Sequence, residues 1–390
     1  MEYLAWTMFG LCSLVAFWWL AVIARIGRMH ATGLSLRRGL DLEVDTTQQV
    51  TIVVPAHNEE RVLAKCIDGV LAQTWPALNV VVALDRCTDA SESIVRSRAE
   101  QDDRLSIVRL ESCPPDWAGK CNALRHGAEQ ADGEWLLFLD ADTSAHPDLV
   151  RALVATGEDR DVALLSLLPD LDCSSWFERV SQPVAGMALM QMYPLDRVNR
   201  DHRNRPFANG QCMLFRREWY RKVGGHVAVH DALLEDLAFG RVIDAAGGRV
   251  RTLKAQGLLT VSMYGDWQAF RRGWTRIFLE GAQRRVRKLG QYAVRQEVLG
   301  AGPPVAMAGA IWSGLALAMP AVWVAGVVAL VLQLVALACV YHISRQPLWC
   351  TVLFPFGCFE VGRAMRRARR LLLTGAPVKW GGREYVLEPR

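Results

Sequence analysis

The ten cysteines of this 390-residue chain form no C-x-x-C pair, and none falls at a Cys/His spacing suited to zinc. A disulfide framework is therefore excluded as the organising principle. Cys12, Cys339, Cys350 and Cys358 sit inside apolar runs and read as reduced, buried small hydrophobes of a cytosol-facing protein. There is no internal repeat, no low-complexity tract and no H-E-x-x-H pattern. His226 and His230, four apart after Gly224 and Gly225, read as loop residues rather than a metal pair. The start of the chain lacks the basic residues and small-residue cleavage site of a signal peptide. No chain of charges crosses an apolar segment, which argues against a transporter. The net charge is only +5, and the basic residues are clustered rather than spread. That pattern points to a membrane surface and not to nucleic acid.

What is present divides into two materials, because a chain 51% hydrophobic is also 22% charged. Residues 3–26 are almost all apolar, with Trp18 and Trp19 inside, and are long enough to span a hydrocarbon core of ~20 residues. Arg25, Arg28, Arg37 and Arg38 follow, so the positive-inside tendency places Met1 outside and the rest in the cytoplasm, at the inner membrane. Residues 303–341 read as two spanning helices in a tight hairpin around Pro320. Residues 349–361 are apolar but short, and Arg363, Arg366, Arg367, Arg369 and Arg370 come next. A re-entrant or interfacial segment fits better there than a further span. Over 266–289, Trp267, Phe270, Trp274, Ile277, Phe278 and Gly281 share one helical face and arginines crowd the other, the pattern of a helix in the headgroup layer. The expected divisions are a membrane helix over 1–27, a cytoplasmic catalytic domain over 45–264, interfacial helices over 265–300, a membrane hairpin over 301–342, and an interfacial segment with a tail over 346–390.

Between 49 and 142, short β-branched runs alternate with helically spaced ones. Strands are expected at 50–54, 80–84, 105–110 and 135–139, and helices at 59–71, 90–98 and 120–131. Such alternation builds βαβ units and a parallel sheet covered on both faces. A further strand is expected over 250–263. Ligands of open α/β sheets bind at the carboxyl ends of the strands. The loops there are Pro55-Ala56-His57-Asn58-Glu59, Asp85-Arg86-Cys87-Thr88-Asp89 and Asp140-Ala141-Asp142. Asp140 and Asp142 are hard oxygen donors suited to Mg²⁺ or Mn²⁺, the alternative being a turn with two solvated aspartates.

A strand ending in PAHNE, a second ending in DRCTD and a D-x-D after the fourth resemble the α/β GT-A (Rossmann-like) fold of family 2 nucleotide-sugar glycosyltransferases. NGQCMLFRR (209–217), VGG (223–225) and LLEDLAFG (233–240) continue the match. PPDWAGKCNALRHG (114–127) and VKWGGREY (378–385) are similar to membrane-bound members associated with hopanoid and carotenoid lipid glycosylation. The likeness covers roughly residues 50–264, with weaker support to 385.

The resemblance implies transfer of one sugar from a UDP-sugar to a lipid hydroxyl, with inversion at the anomeric carbon and no obligate protein partner, and the interfacial helix and membrane hairpin would hold such a site at headgroup depth. It implies Mg²⁺ or Mn²⁺ on Asp140 and Asp142. Members often carry Gln two residues beyond the second Asp, and Ser144 stands there instead, leaving His146 or water as the further ligand. Pro55, Asn58 and Glu59 correspond to the nucleoside-binding segment, although Asn58 and Glu59 also suit a helix start. Asp85 matches the second acid of an Asp-Asp pair whose first is replaced by Leu84, and Asp89 is either part of the site or an N-cap. Lys120, opening a helix after Gly119, suits a phosphate contact. Gly210 and Gln211 correspond to the segment beneath the donor sugar. Asp236 of the Glu235–Asp236 pair is the base, with Glu235 orienting it or the acceptor, against the plain reading of two acids in a helix's first turn. Processive synthases carry Q-x-x-R-W; here Gln268, Arg271, Arg272 and Trp274 break that spacing. Arg271 and Trp274 then bind the donor or acceptor, or serve as anchors. The alternatives are a processive polysaccharide synthase and an inactive GT-A-like membrane scaffold.

Overall fold

The computed structural model describes residues 1–31, 33–200 and 206–390. In chain order its elements are α1 (Glu2–Ala31), β1 (Val50–Ala56), α2 (Leu63–Leu71), β2 (Leu78–Asp85), α3 (Ser91–Ala99), β3 (Leu105–Leu110), α4 (Gly119–Glu129) and β4 (Trp135–Leu139). Then come β5 (Thr143–Ala145), α5 (Leu149–Asp159), β6 (Leu164–Leu168), β7 (Asp170–Leu171), α6 (Trp176–Met192), α7 (Leu195–Val198), β8 (Cys212–Arg216) and α8 (Arg217–Lys222). The last third holds α9 (Glu235–Ala245), β9 (Val250–Lys254), β10 (Leu259–Val261), α10 (Trp267–Gly281), α11 (Val286–Ala316), α12 (Pro320–Ile343), α13 (Phe354–Thr374), β11 (Val378–Trp380) and β12 (Arg383–Tyr385).

The central sheet runs β3-β2-β1-β4-β8-β6-β9. Its first four strands are parallel, as the βαβ pattern predicts. The sheet as a whole is mixed, because β8 runs antiparallel to both β4 and β6. Every residue of β4 is buried, which explains why it reads as an unbroken apolar run. The expected strand over 250–263 is two strands in different sheets. Gln256 and Gly257, both at positive φ, turn the chain between β9 and β10, and β10 joins β5 and β7 in a small separate sheet.

Among the described residues, three helices are long and apolar enough to cross a membrane: Glu2–Met29, Val286–Ala316 and Pro320–Ile343. α1 packs on α12 and α11, and the Trp19 indole donates to Gln333 Oε1 within that bundle (3.1 Å). Pro320 opens α12, where its missing N–H costs nothing. Two expected boundaries move. The division at 300/301 falls inside α11, which runs unbroken through Pro303 and Pro304. The headgroup helix over 266–289 ends at Gly281, where Gln283 and Arg284 turn the chain through positive φ. Nor is the apolar face of α10 left for lipid: Phe270, Trp274 and Phe278 are buried, and α6 and α13 pack against the helix. α13 joins the short apolar run and the arginine cluster in one 21-residue amphipathic helix.

Candidate active site

The carboxyl ends of β1, β2 and β4, the start of β8 and the start of α9 meet at one end of the sheet. β4 ends in Asp140, whose Oδ1 accepts from Lys120 Nζ (2.7 Å). The same ammonium lies 2.6 Å from Glu235 Oε1. Burial alone would depress the Lys120 pKa, but Asp140 and Glu235 outweigh it and hold the ammonium well above its ordinary range. Asp236 is clamped by two backbone donors, Gly210 N to Oδ2 (2.7 Å) and Leu237 N to Oδ1 (2.6 Å). Burial, then the neighbouring Glu235, pushes its carboxyl up to about 7, against Lys120 and the two backbone bonds.

Gly210 leaves little room for a side chain where it stands. A Cβ there would meet Glu235 Oε1 at 3.0 Å, Lys120 Nζ at 3.2 Å and Asp236 Oδ2 at 3.3 Å. Gln211 follows on the pocket wall, held by Asn209 Nδ2 (3.0 Å).

A cavity of about 330 Å³ opens over this cluster. Its lining is mixed: the charged Lys120, Asp140, Asp142, Glu235, Asp236 and Arg276 stand with apolar side chains that include Leu189, Phe207, Leu233 and Ile277. Arg276 is a cavity-lining residue that sequence reasoning passed over as one of many arginines on α10. Burial lowers its pKa, opposed by Tyr264, Glu235, Asp236 and Asp140, and its Nε has no hydrogen-bond partner. The signal lay in Ala269, Arg272, Gly273, Arg276 and Ile277, which share the pocket face of α10, turned from the buried Phe270/Trp274/Phe278 stripe.

Arg271 and Trp274 belong to that other side, and neither lines the cavity. Arg271 is paired with Glu360 of α13 (2.9 Å), and the Trp274 indole donates to Gln182 of α6 (2.8 Å). The one-residue offsets between Arg271 and the pocket-lining Arg272, and between Trp274 and the pocket-lining Gly273, turn them onto different faces of one helix, so in this structure both pack against neighbouring helices instead of facing the cavity.

Pro55, Asn58, Glu59 and Asp85 gather at the neighbouring strand ends, outside the cavity lining. Asn58, at φ 58, accepts from Thr88 N (2.8 Å) and so ties the first loop to the second. The His57 ring donates to the Asp85 carbonyl (2.6 Å). The Asp85 carboxylate is held by both arms of Arg86 (2.9 and 2.6 Å), a partner the sequence reading did not include. Asp89 Oδ1 accepts from Ser91 N at the head of α3, and its Oδ2 accepts from Glu60 N. Glu59 is pushed up to about 7 by burial, then by Asp140 and Asp89.

Among the described residues no group of three His, Cys, Asp or Glu side chains is arranged as a ready metal cage. His146 is turned away, exposed beside Asp148, and Ser144 pairs with Thr260 in the small sheet. Asp142 nonetheless has the character of a cation ligand. Its Oδ1 is buried without a partner, and burial, then Asp140 and Glu59, pushes its carboxyl up to about 8. Crowded acids of that kind gain from a divalent cation, and the oxygen donors suit Mg²⁺ or Mn²⁺. His226 is a core residue: the Tyr220 hydroxyl pairs with its Nδ1 (2.8 Å), and burial, then Lys120, lowers its pKa to about 3. His230 lies 5.4 Å from the Trp117 ring, so the two histidines do not converge.

This mixed sheet with acids at its strand ends is a GT-A-type glycosyltransferase fold. The mannosyltransferase PcManGT from Pyrobaculum calidifontis, solved in complex with GDP-Man and Mn²⁺, matches with a TM-score of 0.52 at 19% identity, over 94% of this chain and 99% of that one. Residues 51–224 match the family model described as Glycosyl transferase family 2. A 4,4'-diaponeurosporenoate glycosyltransferase of Staphylococcus aureus (strain MRSA252) is 26% identical over 236 residues, 60% of this chain and 61% of that protein. The counterpart of strain bovine RF122 / ET3-1 is 25% identical over 238 residues, 60% of this chain and 62% of that protein. The match thus spans about three fifths of the curated relatives.

Proposed function

We propose that the protein is a membrane glycosyltransferase that moves a single sugar from a UDP-sugar to the hydroxyl of a lipid acceptor at the cytoplasmic face of the inner membrane, with inversion. The observation that carries this reading is the mixed lining of the cavity, whose charged groups suit a nucleotide diphosphate and whose apolar side chains suit a lipid. The relatives named for diaponeurosporenoate, a carotenoid acid, support an extended apolar acceptor.

Asp142, together with Asp140, would hold Mg²⁺ or Mn²⁺. When bound, that ion supplies Lewis-acid stabilisation of the leaving diphosphate. Lys120 and Arg276 set positive charge in the cavity, where the diphosphate gains charge as the sugar–phosphate bond breaks. Asp236 accepts the acceptor hydroxyl proton while the hydroxyl oxygen attacks the anomeric carbon. A carboxyl near 7 suits a general base at neutral pH, and the Gly210 and Leu237 amides fix its orientation. Gly210 lets the donor sugar approach the backbone, and Gln211 offers an amide to a sugar hydroxyl. Pro55, Asn58, Glu59 and Asp85 form the nucleoside end. Binding there requires Arg86 to give up or share the Asp85 carboxylate.

Purified protein supplied with labelled UDP-sugars, Mn²⁺ and a total lipid extract is expected to yield one labelled lipid, lost in Asp236→Asn. A long polymer would instead identify a processive synthase. Absence of metal-dependent donor turnover with every acceptor would leave an inactive scaffold.

A further inference from the structure

The segment VKWGGREY finds no role in the chemistry above, yet it reaches the mouth of the cavity. β11 and β12 form an antiparallel hairpin in which Trp380 pairs with Arg383. Gly381 and Gly382 make its turn, both at positive φ, and a Cβ on Gly382 would stand 3.1 Å from His57 Nε2. The tip therefore rests on the first-strand loop, at the nucleoside end. Lys379 and Trp380 line the cavity. The Trp380 ring lies over the Arg276 guanidinium, 3.3 Å from its centre. On the opposite edge, Arg383 Nη1 donates to the carbonyls of Pro114 (2.9 Å) and Trp117 (2.7 Å), just before Lys120 opens α4. Val378 and Leu387 are seated in the main core, and Gly375 joins the hairpin directly to α13.

We propose that the hairpin 378–385 is the cover of the donor pocket, with Trp380 a positioning residue that holds Arg276 against the acid cluster and Arg383 the latch onto the loop before Lys120. The proposal rests on the donor-site reading above. In that arrangement nucleoside, diphosphate and acceptor ends of the pocket share one roof: the tip on His57, Trp380 on Arg276, and Lys379 at the mouth. A roof of this kind keeps water from the anomeric carbon and orders the cations before a donor arrives. Its attachment to α13 places it between the membrane helices and the catalytic loops.

The test uses the full chain in detergent micelles, with UDP and GDP, each with Mn²⁺, as probes. Hydrogen exchange is followed at 55–59, 113–119, 140–142 and 376–387. The nucleotide that protects 55–59 and 140–142 is expected to protect 376–387 and 113–119 as well. In Arg383→Ala the protection at 376–387 is expected to be lost while 55–59 stays protected. Trp380→Ala is expected to weaken nucleotide binding by ~10-fold, and Trp380→Phe, which keeps an aromatic face over Arg276, to stay within about twofold. Protection at 55–59 and 140–142 with none at 376–387 overturns the cover and leaves the donor site standing. Equal binding by the wild type and Trp380→Ala overturns the positioning role. Protection at none of these segments with either nucleotide overturns the donor-site reading and the cover with it.

Discussion

Lys120→Met isolates the charge at the centre of the site, because methionine fills nearly the same stem volume without the ammonium. The ammonium sits 2.7 Å from Asp140 and 2.6 Å from Glu235. At an effective dielectric of about 20, each such pair attracts by roughly 6 kcal/mol before desolvation is subtracted. Removing one partner of a buried pair typically costs about 3–5 kcal/mol, because the other charge is left uncompensated. The side chains here are 19%, 24% and 4% exposed, so water relieves part of that, and about 3 kcal/mol is expected at pH 8. At roughly 2–4 °C per kcal/mol, the unfolding midpoint should fall by roughly 6–12 °C.

The sign of the pH dependence follows from the acids left behind. Without the lysine, which opposes the effect of burial, Asp140 holds its proton to higher pH, and a protonated carboxyl does not repel the neighbouring carboxylate. The destabilisation should therefore shrink to roughly 1 kcal/mol at pH 5. Mn²⁺ should also restore part of the midpoint at pH 8, since a divalent cation replaces the lost positive charge. Thermal unfolding of wild type and variant at the two pH values, with and without Mn²⁺, measures all of this. An equal loss at pH 5 and pH 8, unmoved by Mn²⁺, would refute the account of Lys120 as counterion to the two acids.

The remaining expectations concern the base, the metal side and the membrane side. The pH profile of kcat/KM should rise with pH through an acid limb near 7, because Asp236 acts only when deprotonated and its carboxyl is raised to about 7; Asp236→Asn should cost ~10²–10⁴-fold in kcat. Metal-free stability should decline as pH rises from about 4 to about 8, since Glu59, Asp142 and Asp236 bind protons more tightly folded than unfolded and the advantage is lost through their folded pKa values; Mn²⁺ should flatten that decline, as read by unfolding midpoints. Arg271→Ala should lower the unfolding midpoint by a few degrees while donor KM stays within about twofold, because the residue braces Glu360 and does not reach the cavity. A tenfold rise in KM would return Arg271 to the donor site.

The parts of the fold that could be read from the chain are those where one residue period dominates. β4 shows in the sequence because both its faces are buried, and α9 because the apolar Leu237, Phe239 and Ile243 are buried along it while Glu235 and Asp236 sit in its first turn. The reversal of β8 could not be read that way. An antiparallel strand buried in the middle of a sheet has the same apolar composition as a parallel one, and only its partners reveal its direction. The site divides along the same line. Asp140, Asp142, Gly210, Glu235 and Asp236 lie close to strand ends or a helix start, so their places follow from element boundaries. Arg276 and Trp380 come together from α10 and β11, about a hundred residues apart in sequence, and neither has a local signal that names the other. Arg271 misled because helix composition gives the presence of arginines, whereas a shift of one residue turns a side chain by about 100°.

That same rotation gives α10 its place in the mechanism. On one face Arg272, Gly273, Arg276 and Ile277 form a wall of the cavity; on another, Arg271 binds Glu360 of α13 and Trp274 binds Gln182 of α6. The Glu360 carboxylate is almost wholly buried and also pairs with Arg363, so α10 and the amphipathic helix are joined by a charge that cannot readily be exposed to water. A displacement of α13 must therefore carry Arg276 with it, or break a buried ion pair. Since the hairpin that carries Trp380 is attached to the end of α13, both partners of the Arg276–Trp380 contact are linked to the same helix. The position of α13 and the position of the cation over the acid cluster are thus mechanically coupled.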